Sequence, residues 1–174
     1  MRPLITALAL STLLSAPAFA QNKMDNNDIS AMKQLAQANL SEIAAGKTAA
    51  EKAQSPDVKK FGQKMVDDHT KMLEDLRTLA KKKNVALPQD PDVKDLAQMK
   101  LMERKSGAEF DKDYMEHMVK DHEQDAKDTQ NIAAKAKDPD FKAAVQKANV
   151  KIKEHLALAE KISKSAAAGA SSKK

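Results

Sequence analysis

The chain has 174 residues, with 30 lysines and arginines against 25 acidic residues for a net charge of +5, 3% aromatic residues and no cysteine. A small positive excess with no aromatic platform argues against a nucleic-acid surface, and the missing cysteine excludes disulfides and thiol chemistry. With only 4 glycines and an abundance of Ala, Lys, Leu, Met, Gln and Glu, this is the composition of helices and not of sheets.

The first twenty residues read as a secretory signal peptide. Met1-Arg2 is followed by an apolar run over residues 4–14, then by Ser15-Ala16-Pro17-Ala18-Phe19-Ala20, whose small residues fit cleavage after Ala20. The run is about half of the ~20 residues that a spanning helix needs. No later segment is apolar enough, so no transmembrane segment is expected once the signal is removed. The expected address is the periplasm or the medium. Residues 21–27 are expected to be a flexible mature N-terminus, 28–164 a single helical domain, and 165–174 a disordered tail with nothing to bury. A domain of that size hides ~70% of its unfolded surface, enough for packing to hold it without disulfides.

Three similar phrases divide the domain: Ser55-Pro56-Asp57-Val58-Lys59, Asp90-Pro91-Asp92-Val93-Lys94 and Asp138-Pro139-Asp140-Phe141-Lys142. In each, Ser or Asp can cap a helix, proline suits the first helical position, and the next Asp meets the positive end of the dipole. The sequence therefore predicts helices over residues 28–52, 56–83, 91–105, 109–137 and 139–164. Lys81-Lys82-Lys83 falls in a final turn, where cations suit the dipole.

Apolar residues recur at helical spacing, as Met32, Ala36, Leu40 and Ile43 in the first helix, Phe61, Met65, Met72 and Leu76 in the second, and Phe141, Val145, Ile152 and Ala159 in the last. The links at Ser55 and Asp138 are so short that helices one and two, and four and five, must form antiparallel hairpins. The expected fold is all-α: a ferritin-like antiparallel four-helix bundle with an additional short helix in the long crossover.

Polar residues interrupt these stripes. His69 follows Met65 by one turn, His122 follows Met118 by one turn, and His155 falls between Ile152 and Ala159; His117 points to solvent or the bundle margin. Counting 1.5 Å per residue from each hairpin turn puts Glu42 level with His69, and His122 level with His155. If the hairpins pack side by side, Glu42, His69, His122 and His155 converge at mid-bundle. A divalent transition metal (iron, zinc, manganese, copper or nickel) would satisfy that set, with Tyr114, Asp68, Asp121 or Glu154 holding the ligands in place. The alternative is a hydrogen-bonded His/Glu/Tyr cluster with water that orders the core of a structural or stress-related interaction protein. Met65 and Met118, each one turn from a histidine, would suit reduced copper but also serve as core filler. A two-iron carboxylate centre wants Glu three residues before two histidines, where Val66, Val119 and Ile152 stand instead. No nucleophile elbow, phosphate loop or paired-carboxylate cleft marks an enzyme, and nothing indicates a particular protein partner.

Glu42 with Gly46 and Lys52-Ala53, Val58-Lys59-Lys60-Phe61-Gly62-Gln63-Lys64-Met65-Val66-Asp67-Asp68-His69, Phe110-Asp111-Lys112-Asp113-Tyr114, Met118-Val119-Lys120-Asp121-His122 and His155-Leu156 together resemble the domain of unknown function 4142 family. The resemblance runs from about Asn27 to Ile162. It implies an exported, helical, ferritin-like protein without implying an activity, and it carries over onto Glu42, His69, Tyr114, His122 and His155. Family members often have Leu-Pro ahead of the final histidine. Val150-Lys151-Ile152-Lys153-Glu154 stands here, which implies a straighter last helix.

Overall fold

The computed structural model describes residues 24–171, with side chains through residue 165. The expected signal peptide over residues 1–20 lies outside the described residues. Five helices make up the fold, α1 (Asn26–Lys52), α2 (Pro56–Lys82), α3 (Val93–Met102), α4 (Gly107–Lys135) and α5 (Pro139–Ser171), with no strand among the described residues. No described helix is long and apolar enough to cross a membrane.

Each boundary has a local cause. Asp25 caps α1 by accepting from Asn27 N at 2.9 Å, and Met24 just before it is buried against Met32, Leu76 and Phe141. Pro56 and Pro139 each open a helix, and Asp138 caps α5 by accepting from Phe141 N at 2.9 Å. The middle phrase behaves differently from its two counterparts. Asp92, not Asp90, is the cap, accepting from Lys94 N at 2.8 Å, so α3 begins at Val93 and Pro91 stays in the loop. Asp92 N also donates to Ser41 Oγ on α1 at 3.3 Å, which anchors the loop where the helix starts. At the other extreme, α5 runs past the expected end at Lys164 to Ser171.

Helices α1 and α2 pack along their length as one antiparallel hairpin, α4 and α5 as another. The hairpins meet through α2 on α5 and α1 on α4, and α3 lies against α1 and α4. Within the first hairpin the backbones nearly touch. A Cβ on Gly46 would stand 2.7 Å from Gly62 O, and one on Gly62 would stand 2.7 Å from Gly46 O, closer than real Cβ atoms come. Only glycine fits at both places, and this contact sets the register that brings the Glu42 and His69 stretches alongside each other.

The hairpins are also clasped to one another at their turns. Asp28 of α1 accepts from Lys137 N at 3.0 Å and Asp138 N at 2.8 Å in the α4–α5 turn. Asp111 of α4 accepts from Gln54 N at 2.9 Å and Ser55 N at 2.7 Å in the α1–α2 turn. Both carboxylates are buried. Lys83, from the expected basic turn, reinforces the first clasp through Asp138 at 2.7 Å and Asp140 at 2.9 Å. Hydrogen bonds to a charged acceptor contribute about 1.5–3 kcal/mol each. Asp28→Ala, which strands two turn amides, is therefore expected to cost roughly 3 kcal/mol, read as a lower urea midpoint at unchanged slope.

The apolar core falls into two clusters. One gathers Ala49, Val58, Phe61, Met65, Phe110, Tyr114, Met118 and Ala159, and the other Met24, Met32, Ala36, Leu73, Leu76, Phe141 and Val145. Along every long helix the break between them falls at a polar residue: Glu42 on α1, His69 on α2, His122 on α4 and His155 on α5. The bundle thus has a polar layer across its middle.

Candidate metal centre

Three of those residues meet. His69, His122 and His155 each offer a ring nitrogen, and these atoms all lie within 4.8 Å of one another. Their ring centroids are 5.2 to 5.9 Å apart. His122 and His155 are completely buried and His69 is 3% exposed.

The outward nitrogen of each ring is already engaged. Asn39 donates its amide N–H to Leu35 O at 2.7 Å, so its oxygen faces His69 Nδ1 at 3.1 Å, and that nitrogen must be the N–H. His122 Nδ1 donates to Met118 O at 2.9 Å. His155 Nε2 donates to Asp68 Oδ2 at 2.8 Å across the α2–α5 seam. With those protons turned outward, His69 Nε2, His122 Nε2 and His155 Nδ1 carry lone pairs, and all three are buried without a hydrogen-bond partner. Three acceptors thus face one another.

Protonation does not resolve the conflict. Burial pushes all three imidazoles below the ordinary histidine value, His155 to about 4, and the rings repel one another's charge. Burial alone would raise the Asp68 carboxyl, but the hydrogen bonds from His155 and Lys64 outweigh it and bring it down to about 2. Asp68 thus stays ionised and keeps the His155 proton on the outer nitrogen.

Glu42 and Tyr114 are the remaining unpartnered polar groups of this layer. Glu42 is 5% exposed, its Oε2 has no partner, and burial followed by the charges of Asp121 and Asp95 raises its carboxyl to about 8. It lies outside the set of donor atoms within 4.8 Å of one another, on the side of α1 that faces α3 and α4. Tyr114 is held by Phe110, stacked at 6.0 Å, and Phe61, edge-on at 6.2 Å. Its hydroxyl has no partner, and burial and then the Glu42 charge raise it well above the usual phenol range. Asp121 sits 3.3 Å from His117 Nε2 and Glu154 pairs with Lys151, so neither holds a ring of the cluster. Among the described residues, His117 has Gln98 and Asp121 as its partners.

Two contributors escaped the sequence reading. Asn39 stands three residues before Glu42, one turn away on the same face, and that spacing was its only signal. The Met118 carbonyl has no sequence signal, because every residue carries one.

Fold and site together define an all-helical protein with a buried, lone-pair-rich tri-histidine cluster at mid-bundle. A family model described as a domain of unknown function (DUF4142) matches residues 13–162, and the chain belongs to that family. No curated protein and no solved structure matches the chain.

Proposed function

We propose that this is an exported metal-binding protein in which His69, His122 and His155 hold a divalent transition metal, with Glu42, outside the trio in the same layer, as a carboxyl that supplies negative charge when a cation displaces its proton. The observation that carries this reading is the trio of buried imidazole lone pairs that face one another with no protein donor between them among the described residues. A buried polar atom without a partner costs about 1–3 kcal/mol. One water donates only two hydrogen bonds, whereas a cation accepts all three lone pairs. Neutral imidazole nitrogen suits zinc, iron, manganese, copper or nickel, and three nitrogen ligands leave a further coordination position. Asn39, Met118 O and Asp68 would fix the ring orientations from behind. The bundle is read as ferritin-like with four long helices, α3 lying in the crossover, and the leader at residues 1–20 would send it to the periplasm. No turnover is assigned.

One observation favours a second reading, a purely structural cluster in a stress-related or interaction protein. Glu42, raised to about 8, is a protonated carboxyl at neutral pH, and the Tyr114 hydroxyl is un-ionised. Both are donors, and with water they can serve the imidazoles. Untagged protein released from the periplasm separates the two readings by elemental analysis and a buffered zinc titration. The expected result is an intact mass beginning at Gln21 and about one metal per chain. Absence of stoichiometric metal, with no zinc-dependent change in melting, overturns the metal reading in favour of the structural one.

A further inference from the structure

Where α3 covers the seam between α1 and α4, a pocket of about 170 Å³ opens beside the polar layer. Its walls carry four carboxylates from three helices: Glu42 on α1, Asp95 on α3, and Asp121 and Asp125 on α4. No lysine or arginine among the described residues lines it, although the chain has 30 of them. Crowding acids in this way is unfavourable unless they take up protons, as burial drives Glu42 (about 8) and Asp125 (about 7) to do, or a cation takes the protons' place.

The innermost of these acids supplies an independent observation. Glu42 is 5% exposed, lines the pocket, and has an oxygen with no hydrogen-bond partner. His117, on the pocket wall, is not the ligand. Its Nδ1 accepts from Gln98 at 3.2 Å and its Nε2 donates toward Asp121 at 3.3 Å, so the donor atoms on offer are oxygens. At ~30 Å³ per water, the volume holds roughly five waters, or a partly hydrated cation. Asp125 also lines a larger cavity of about 550 Å³ that reaches His69, so the acidic pocket adjoins the histidine layer.

We propose that this pocket is the loading site of the centre: a hydrated divalent cation is caught through oxygen by Asp95, Asp121 and Asp125, then passes by Glu42 to the three imidazoles. The proposal rests on the tri-histidine reading and adds a route to it. Carboxylate and water ligands favour hard cations weakly, while imidazole nitrogens bind transition metals more tightly, so transfer runs inward. A cleft of one charge sign in low-dielectric walls raises association rates by 10–10³ at low ionic strength.

The test is stopped-flow loading of cobalt(II), followed by the visible absorption of the nitrogen-ligated ion, in wild type and in Asp95→Asn/Asp121→Asn. The double variant is expected to load at least tenfold more slowly at low salt, to reach the same final absorbance and stoichiometry, and to lose the difference near 0.5 M salt. Loading within twofold of wild type overturns the proposal. Wild type that never develops the cobalt band instead overturns the tri-histidine reading, and the loading role with it. Asp95→Asn alone, which removes no hydrogen bond, is expected to slow loading severalfold and serves if the double variant folds poorly.

Discussion

Leucine in place of His122 is expected to abolish metal-dependent stabilisation while leaving the metal-free protein as stable as wild type or more so. A ligand that binds only the folded state at a hundred times its Kd adds about 2.7 kcal/mol. For a chain of this size that corresponds to a rise of roughly 5–10 °C in melting temperature. His122 supplies one of three facing lone pairs, and its one side-chain hydrogen bond among the described residues goes to Met118 O, which lies in the α4 backbone ladder. Leucine has similar bulk, fills the space and removes a buried nitrogen without a partner, so the apo state loses little. Differential scanning calorimetry with and without zinc reads both effects. A shift that survives in the variant places the metal elsewhere. Asp68→Asn is the milder companion: it keeps all three imidazoles but weakens the acceptor behind His155, and is expected to lower metal affinity by about 10–100-fold. Unchanged affinity in that variant would mean that the Asp68 contact is incidental.

The levels of these residues were legible because the hairpin links are short and their ends are marked. With Pro56 and Pro139 opening helices directly after their turns, counting outward carries little error and levels Glu42 with His69 and His122 with His155; the side-by-side packing of the hairpins then brings the three histidines together. Helix identity followed from apolar spacing and caps in the same way. Ring direction was not legible. It depends on Asn39 Oδ1, Met118 O and Asp68 Oδ2, which come from three helices; Asn39 is marked by nothing but its spacing from Glu42, and the Met118 carbonyl by nothing at all. The side on which Glu42 is met was equally hidden. It depends on where a short helix in a long connection comes to rest, and α3 is placed by Asp92 bonding to Ser41 and by Met99 and Met102 packing into the core. The clasps by Asp28 and Asp111 escaped for a related reason. A single Asp near a helix end looks like a dipole partner for its own helix, whereas each of these serves a turn in the other hairpin.

Glu42→Gln is expected to stabilise the metal-free protein, by an amount that grows with pH. The Glu42 carboxyl lies at about 8 in the folded chain against an ordinary value of 4.5. Below pH 4.5 it is protonated in both states and contributes no difference. Between 4.5 and 8 the unfolded chain releases the proton while the folded chain keeps it, so wild-type stability falls as pH rises, by about 1.36 kcal/mol per unit. Near pH 7 the accumulated cost is on the order of 3 kcal/mol, and glutamine, which never ionises, removes it. The three histidines slope the other way, gaining stability as pH rises toward 6.5, but they are present in both proteins and cancel in the difference. Asp95 from α3 and Asp121, Asp125 and Tyr114 from α4 share the field of Glu42, so part of the gain arrives through them. Urea denaturation of both proteins from pH 4 to 8 reads the result, and two parallel stability curves would refute it. An acid kept in the core at such a cost has a use that stability does not explain, and a cation that binds in place of its proton supplies one. The same variant that is more stable without metal is therefore expected to bind zinc more weakly, so that the order of the two melting temperatures narrows or reverses as zinc is added.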